Sequence, residues 1–313
     1  MTQMTSKACQ QQHTRRKIME LPIGETFKDF RTDKNLSLSE AAGDIVTKSF
    51  LSKFERGGTS ISFNNLLQLL QRMNVTVSEF LYRAYGYMWT GSAAFFNRLS
   101  VAAATGNVEA LNKLIQQAST KYTSSGLQSD KVNLIVARSV KLTFEDQSLP
   151  NNETSQVLDY LFESEDWLHY DLKVLTYILP FIPPDMLPHV SHALIKHTEE
   201  YIRVGINSRI VAEVLLNILA RQIELQHLHD AQVLLHDLDR NPTIRSMMMF
   251  SINLQSLKAA YEYVSGQTED GSKEMLWALD TLRHLGSDKL AKRLSTQWQE
   301  LTGVPTEELV NHQ

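Results

Sequence analysis

There is one cysteine in 313 residues, Cys9, so no intrachain disulfide can form and the composition fits a reducing compartment. No run of about 18 apolar residues occurs either. The longest apolar stretch, Leu175 to Ile182, is interrupted by Pro180, and no membrane span is expected. Neither sign of charge dominates. With 31 Lys and Arg against 35 Asp and Glu the formal net charge is −4, too little to draw the whole chain to phosphate, so any nucleic-acid contact has to come from a local patch. A glycine-rich phosphate loop, a nucleophile elbow and metalloprotease spacing are all missing, so neither an enzyme nor a cofactor is expected. The acidic cluster Glu163, Glu165 and Asp166 reads as a solvated helix end, with Asp166 as a cap. Asp185, His189 and His192 have the spacing of one helix face, with His197 close by, but no cysteine joins them and His227 and His229 lie far off in sequence, so no metal site is assigned. Residues 1–20 are polar, with Arg15, Arg16 and Lys17 and no apolar stretch resembling a signal peptide. They read as a mobile arm, and a soluble cytoplasmic protein is expected.

What is present is helical spacing. The alternating Val, Ile and Thr runs of strands are absent, while 42% hydrophobic and 21% charged residues fit a globular all-α chain with ample core. Five short helices are expected between residues 21 and 86. Ile23, Phe27 and Phe30 line the first, ending at Asn35 or Leu36; Ser37 caps the second, with Glu40 at the third helical position completing a capping box. Thr47 caps the third, which Gly57-Gly58 ends; Phe63, Leu66, Leu67 and Leu70 line the fourth; Val77 to Tyr85 forms the fifth. The third helix turns Leu51 and Phe54 inward and places Lys48, Ser49, Ser52, Lys53 and Arg56 on the opposite face. One dry face and one cationic, hydrogen-bonding face is what a helix-turn-helix unit needs to pack on a small core and still offer donors to the major groove of DNA. Lys48, Ser49 and Lys53 are placed for base edges, Thr47, Ser52 and Arg56 for phosphates. Glu55, an anion on that helix, is expected to pair internally with Arg31.

Gly86 and Gly91 bracket a junction, read as a linker at 87–92, after which longer helices recur in pairs roughly every 40 residues through 93–313. Small residues such as Ala220, Ala231, Ala260 and Ala278 fall at the expected helix contacts, and Leu290, Leu294, Trp298 and Leu301 make one stripe. The pattern implies a tetratricopeptide-like solenoid with a concave surface that receives a peptide or a partner helix. Asn217, Arg221 and Asn253 interrupt otherwise apolar helices, and Arg209 and Tyr261 are placed on the same surface. Asparagine offers a donor and an acceptor to an extended backbone, and arginine takes a terminal carboxylate in a bidentate pair. A rival reading is a helical-repeat protein–protein adaptor whose head contacts protein rather than DNA.

The segment Thr47 to Gly57, ending Phe54-Glu55-Arg56-Gly57, then Ile61-Ser62 leading into Leu66-Leu67-Gln68-Leu69-Leu70 and Met73-Asn74-Val75-Thr76 to Glu79-Phe80, resembles the Rgg/GadR/MutR family of bacterial transcriptional regulators. The likeness extends in length and helical layout to the carboxy-terminal region, including the Leu285-Gly286 turn and Trp298. It implies a Cro/C1-type helix-turn-helix head on a tetratricopeptide-like domain, working as a homodimer that binds double-stranded promoter DNA and responds to a short peptide, as in quorum sensing. The positions that would face DNA are Thr47, Lys48, Ser49, Ser52, Lys53 and Arg56. Two residues depart from the family pattern. Phe50 stands where a polar residue is more usual, so it packs or meets a thymine methyl; Lys53 replaces a frequent arginine and lacks its bidentate fork. The family often carries a cysteine near the head that can join two subunits, but Cys9 lies outside the matched segment and takes no such role here.

Overall fold

The protein is described from a computed structural model that covers residues 21–88, 91–203 and 205–309. The arm at 1–20, with Cys9 and Arg15 to Lys17, lies outside the described residues. Every regular element among the described residues is helical. Contacts divide the chain into two compact units, the first running through Asn97 and the second starting at Arg98.

The first unit holds α1 (Ile23–Asp33), α2 (Leu38–Ala42), α3 (Lys48–Glu55), α4 (Phe63–Arg72) and α5 (Val77–Ala84). Each of α2 to α5 starts where a hydroxyl can satisfy a free backbone N–H: Ser37, Thr47, Ser62 and Thr76 each accept from the N–H three residues on. At α2 and α5 the box is closed by Glu40 and Glu79, whose carboxylates accept the Ser37 and Thr76 N–H groups at 2.8 Å. Hydrogen bonds from Ser37 and Thr76 hold both carboxyls below their ordinary pKa. Helices this short do not persist alone, so the unit is held by its core of Phe27, Leu51, Phe54, Leu69, Leu70 and Phe80. Phe27 meets Phe54 with ring centroids 5.8 Å apart. In α4 the buried positions are Leu66, Leu69 and Leu70, while Phe63, expected inside, is 67% exposed because it precedes the first buried turn of that helix.

The helix α6 (Gly91–Ala104) contains the boundary between the units. The second unit continues with α7 (Val108–Ser125) and α8 (Gln128–Phe144), a hairpin closely packed along its length, then α9 (Asn151–Phe162), α10 (His169–Ile178) and α11 (Leu187–Arg203). Pro180 and Pro184 stop helix propagation after α10, and two short 3-10 turns carry the chain across with Ile182 buried between them. Asp166 does not cap α10. The Leu168 N–H donates to Asp171 Oδ2 at 2.9 Å, because a carboxylate inside the first turn reaches the free N–H more directly than one in the preceding loop.

The remainder is α12 (Ser208–Glu224), α13 (Leu228–Asp239), a five-residue α14 (Pro242–Ser246) with no counterpart in the sequence reading, α15 (Met248–Val264), α16 (Thr268–His284) and α17 (Asp288–Thr302). Packing of α12 on α15 and α17, with α13 and α16 on their other side, gives the stacked-hairpin arrangement of a helical-repeat domain. Its terminal core gathers Ala259, Ala260, Met275, Ala278, Leu294 and Trp298. Ala231, Ala260 and Ala278 sit fully buried at helix contacts, Ala220 only half-buried. No described helix is long and apolar enough to cross a membrane.

Close approach of α15 and α16 depends on Gly271, where an added Cβ would lie 2.5 Å from the Ala259 carbonyl oxygen and 2.8 Å from the Tyr263 nitrogen. Alanine favours a helix by up to about 1 kcal/mol over glycine, but overpacking against backbone costs about 1–3 kcal/mol. Gly271→Ala is therefore expected to lower the midpoint of chemical denaturation despite its better helix propensity, and a raised midpoint would contradict this packing.

Candidate functional site

Two regions concentrate side chains that the core does not explain. The first is the outer face of α3. Leu51, Phe54 and Glu55 point inward, leaving Thr47, Lys48, Ser49, Lys53 and Arg56 exposed and Ser52 half-exposed on one surface. Thr47 is committed to capping, its hydroxyl accepting the Phe50 N–H at 3.1 Å. Arg56 folds back so that its Nε donates to the Ser52 carbonyl at 3.1 Å, leaving its terminal nitrogens outward at the helix end. Phe50 packs against the head core as a half-buried side chain. Lys48 and Lys53 supply mobile, unforked charges on the exposed face.

The face is fixed from behind by Glu55. Arg31 grips this carboxylate with both arms, Nε to Oε1 at 2.6 Å and Nη2 to Oε2 at 2.8 Å, while its Nη1 donates to the Leu36 carbonyl at 2.7 Å. Both side chains are buried, at 11% and 5% exposure. The hydrogen bond to Glu55 raises the Arg31 pKa above its ordinary value. One guanidinium thus joins α1, α3 and the segment leading into α2, and the pair foreseen from the sequence exists as a bidentate contact.

The second region is a cavity of about 790 Å3 walled by α12, α15 and α17. From α12 come Arg209, Glu213 and Asn217, spaced four residues apart on one stripe. The start of α15 contributes Met247, Met248, Met249, Phe250 and Asn253; α17 contributes Leu290, Arg293, Gln297 and Glu300. Charges of both signs, three amides and three flexible thioethers face one concave space. Asn253 lines the cavity, but its Oδ1 is buried away from the surface without a hydrogen-bond partner in the protein, so a guest meets that acceptor only if the amide turns outward. Thioethers adapt to apolar guests of irregular shape.

Of the five residues placed on a peptide surface by sequence, Arg209, Asn217 and Asn253 line this cavity together. Arg221 lies one turn beyond Asn217 on α12 and spends its Nη1 on Glu224 at 2.8 Å. Tyr261 lies elsewhere, in a separate cavity of about 500 Å3 bounded by α13 and α15 with Leu235, His236, Lys258 and Glu262. Tyr261 is eight residues from Asn253, about 12 Å further along α15. Glu213, the methionines, Arg293, Gln297 and Glu300 went unnoticed in the sequence. Leu290, expected on the core stripe of α17, packs half-buried against the terminal core and also lines the cavity, whereas Leu294 and Trp298 are fully buried.

The histidines of α11 fall into another role. The His197 ring stacks on Trp167 with centroids 5.4 Å apart at 12°, and its Nδ1 meets the Glu165 carbonyl. His189 and His192 border an open depression with Lys196. Among the described residues, no group of three or more His, Cys, Asp and Glu side chains is disposed to hold a metal ion.

Removing the Arg31 guanidinium leaves a buried carboxylate unpaired, a change that costs about 3–5 kcal/mol. Arg31→Ala is expected to lower the melting temperature of the full-length protein's head transition markedly while leaving the base preference of the remaining folded protein unaltered. Calorimetry paired with selection from random duplexes reads both, and an unchanged melting temperature would remove the structural role of the pair.

Comparison with known proteins places both regions in context. Residues 111–296 match the family profile described as the C-terminal domain of HTH-type transcriptional regulator Rgg, and residues 27–80 match a helix-turn-helix profile. The chain is similar to the crystal structure of the SHP pheromone receptor Rgg2 of Streptococcus dysgalactiae, with a TM-score of 0.74 and 22% identity over 89% of this chain and 99% of that one. It is also similar to a putative transcriptional regulator from Listeria monocytogenes EGD-e, with a TM-score of 0.76 and 17% identity over 90% and 99% of the two chains. PrgX in complex with cCF10 gives a TM-score of 0.68 and 16% identity over 90% and 93%.

Proposed function

The chain belongs to the Rgg family of HTH-type transcriptional regulators, and from that premise we propose that it is a dimeric, cytoplasmic regulator whose DNA affinity is set by a short peptide held between α12, α15 and α17. The helix-turn-helix unit reads promoter DNA. In this reading Lys48, Ser49 and Lys53 meet base edges and Thr47, Ser52 and Arg56 meet phosphates, an assignment supported by their sharing the outward face of α3. Lys53 acts as a point charge, so discrimination at its position rests on fewer directional bonds than an arginine would give.

The concavity lined by amides, charges and thioethers from three helices is the observation that carries the peptide part of the proposal. An extended backbone presents N–H and C=O groups in alternation, and Asn217, Asn253 and Gln297 each offer both a donor and an acceptor. The SHP pheromone receptor Rgg2 and PrgX in its cCF10 complex share the fold, which supports a signalling ligand for this chain. Two heads in a dimer reach successive major grooves, and a guest that binds one arrangement of the repeat domain better than another shifts the population able to do so. A ligand without such a preference would change nothing.

Replacing Arg56, assigned to a phosphate, by alanine is expected to lower the slope of log affinity against log salt by about one, whereas replacing Lys48 or Lys53, assigned to base edges, should chiefly relax base preference. A slope and a base preference left intact by all three would favour a protein-binding head. Ligand binding is tested with a pool of synthetic randomised octapeptides: the peptide retained most tightly should bind Asn253→Ala about tenfold more weakly, the loss expected when one buried hydrogen-bonding pair is broken. Equal retention by both proteins would sink the assignment of this cavity.

A further inference from the structure

Arg72, at the end of α4, makes a contact that neither the core nor the DNA-facing surface accounts for. Its Nε donates to the backbone carbonyl of Glu40 in α2 at 2.6 Å, across 32 residues of sequence. The same guanidinium covers Gly43, where an added Cβ would lie 2.9 Å from Arg72 Cζ and 3.1 Å from Nη1. Gly43 adopts φ 50° and ψ −132°, a conformation that L residues other than glycine rarely take. The turn from α2 to α3 begins at this residue.

A helix of only five residues has almost no hydrogen bonding of its own to fix its direction. Its start is fixed by the Ser37–Glu40 box, in which the Glu40 carboxylate accepts the Ser37 N–H. Its other end has free carbonyls, and the Glu40 carbonyl is the one Arg72 takes. Ala41 and Ala42, fully buried in the head core, transmit that placement to α3, which packs on α2.

We propose that Arg72 is a positioning residue for DNA recognition, locking the α2–α3 turn so that the outward face of α3 is presented at one fixed angle. It acts through Glu40 and Gly43 and carries no base or phosphate itself. A lock of this kind adds to the match with a correct sequence, where every base-edge contact depends on helix angle, and adds little to binding of DNA in general, where mobile side chains follow the phosphates.

The isosteric relation between the Arg Nε–H and the Gln amide supplies the test. Arg72→Gln removes the charge but keeps an N–H donor at the position from which Glu40 is held; Arg72→Lys keeps the charge but not that donor geometry; Arg72→Ala keeps neither. Full-length proteins are titrated against the tightest duplex that the unsubstituted protein selects from random-sequence DNA, and against a scrambled duplex of the same length, over a series of salt concentrations. For Arg72→Ala the selected duplex should bind about tenfold more weakly, the equivalent of one charge-assisted hydrogen bond, with the scrambled duplex and the salt slope unchanged. Arg72→Gln should recover most of the loss and Arg72→Lys should not. A phosphate contact would give the reverse order: lysine restoring affinity, glutamine failing, both duplexes weakened together and the slope reduced by about one. That pattern, or unchanged binding by all three variants, overturns the proposal. If Arg72→Ala does not fold, the glutamine and lysine variants decide between the two outcomes by themselves.

Discussion

Glu55 is an anion on the helix that we propose reads DNA, and its charge is cancelled inside the protein by Arg31. Arg31 meets it with two short, near-parallel hydrogen bonds and spends its remaining arm on Leu36, so a single side chain ties α1 to α3 and to the entry of α2. Were Glu55 solvated instead, it would repel phosphate at the end of α3 and the helix would have no polar tether to the rest of the head. Buried pairs of this type add little net stability over an apolar contact, but they penalise any arrangement in which the partners separate. The pair therefore selects one packing of α1 on α3, and the cationic face of α3 follows from that packing.

A similar economy shapes the repeat domain. The helices α12, α15 and α17 are each held by buried positions, Leu257 and Ala260 on α15, Leu294 and Trp298 on α17, and most of the circumference of α12, including Val214, Leu215, Ile218 and Leu219. What remains on the facing side of each is free to be polar, and the stacking of hairpins brings those three remaining stripes into one concavity. The concavity is a by-product of packing: side chains on the outer faces converge because the cores behind them converge. Methionines at the start of α15 give that concavity a deformable apolar wall, whereas the amides give it direction.

Most of the head was legible in the sequence. Ser37 and Thr47 announce helix starts because a cap is a contact between residues three apart, and Leu51 and Phe54 announce a buried face because helical periodicity is equally local. Even the Arg31–Glu55 pair could be inferred, since an anion on the helix proposed to read DNA demands an internal partner. Expectations failed where local and tertiary demands differ. Phe63 looked like core by spacing but stands ahead of the first buried turn of α4, and Asp166 looked like a cap but Asp171 reaches the Leu168 N–H first.

The sequence by itself determined the all-α class, the caps at Ser37 and Thr47, the dry and cationic faces of α3, and the presence of polar interruptions in α12 and α15, since each depends on spacings of three or four residues. Only the tertiary structure decided which interruptions meet. Asn217 and Asn253 share a cavity with Arg293, Gln297 and Glu300, while Arg221 turns to Glu224 and Tyr261 to a different wall. It alone also put Arg72 over Gly43, 29 residues earlier in the chain. Such meetings are set by how helices stack and by the direction in which each side chain leaves its helix, and neither is encoded in the periodicity of a single segment.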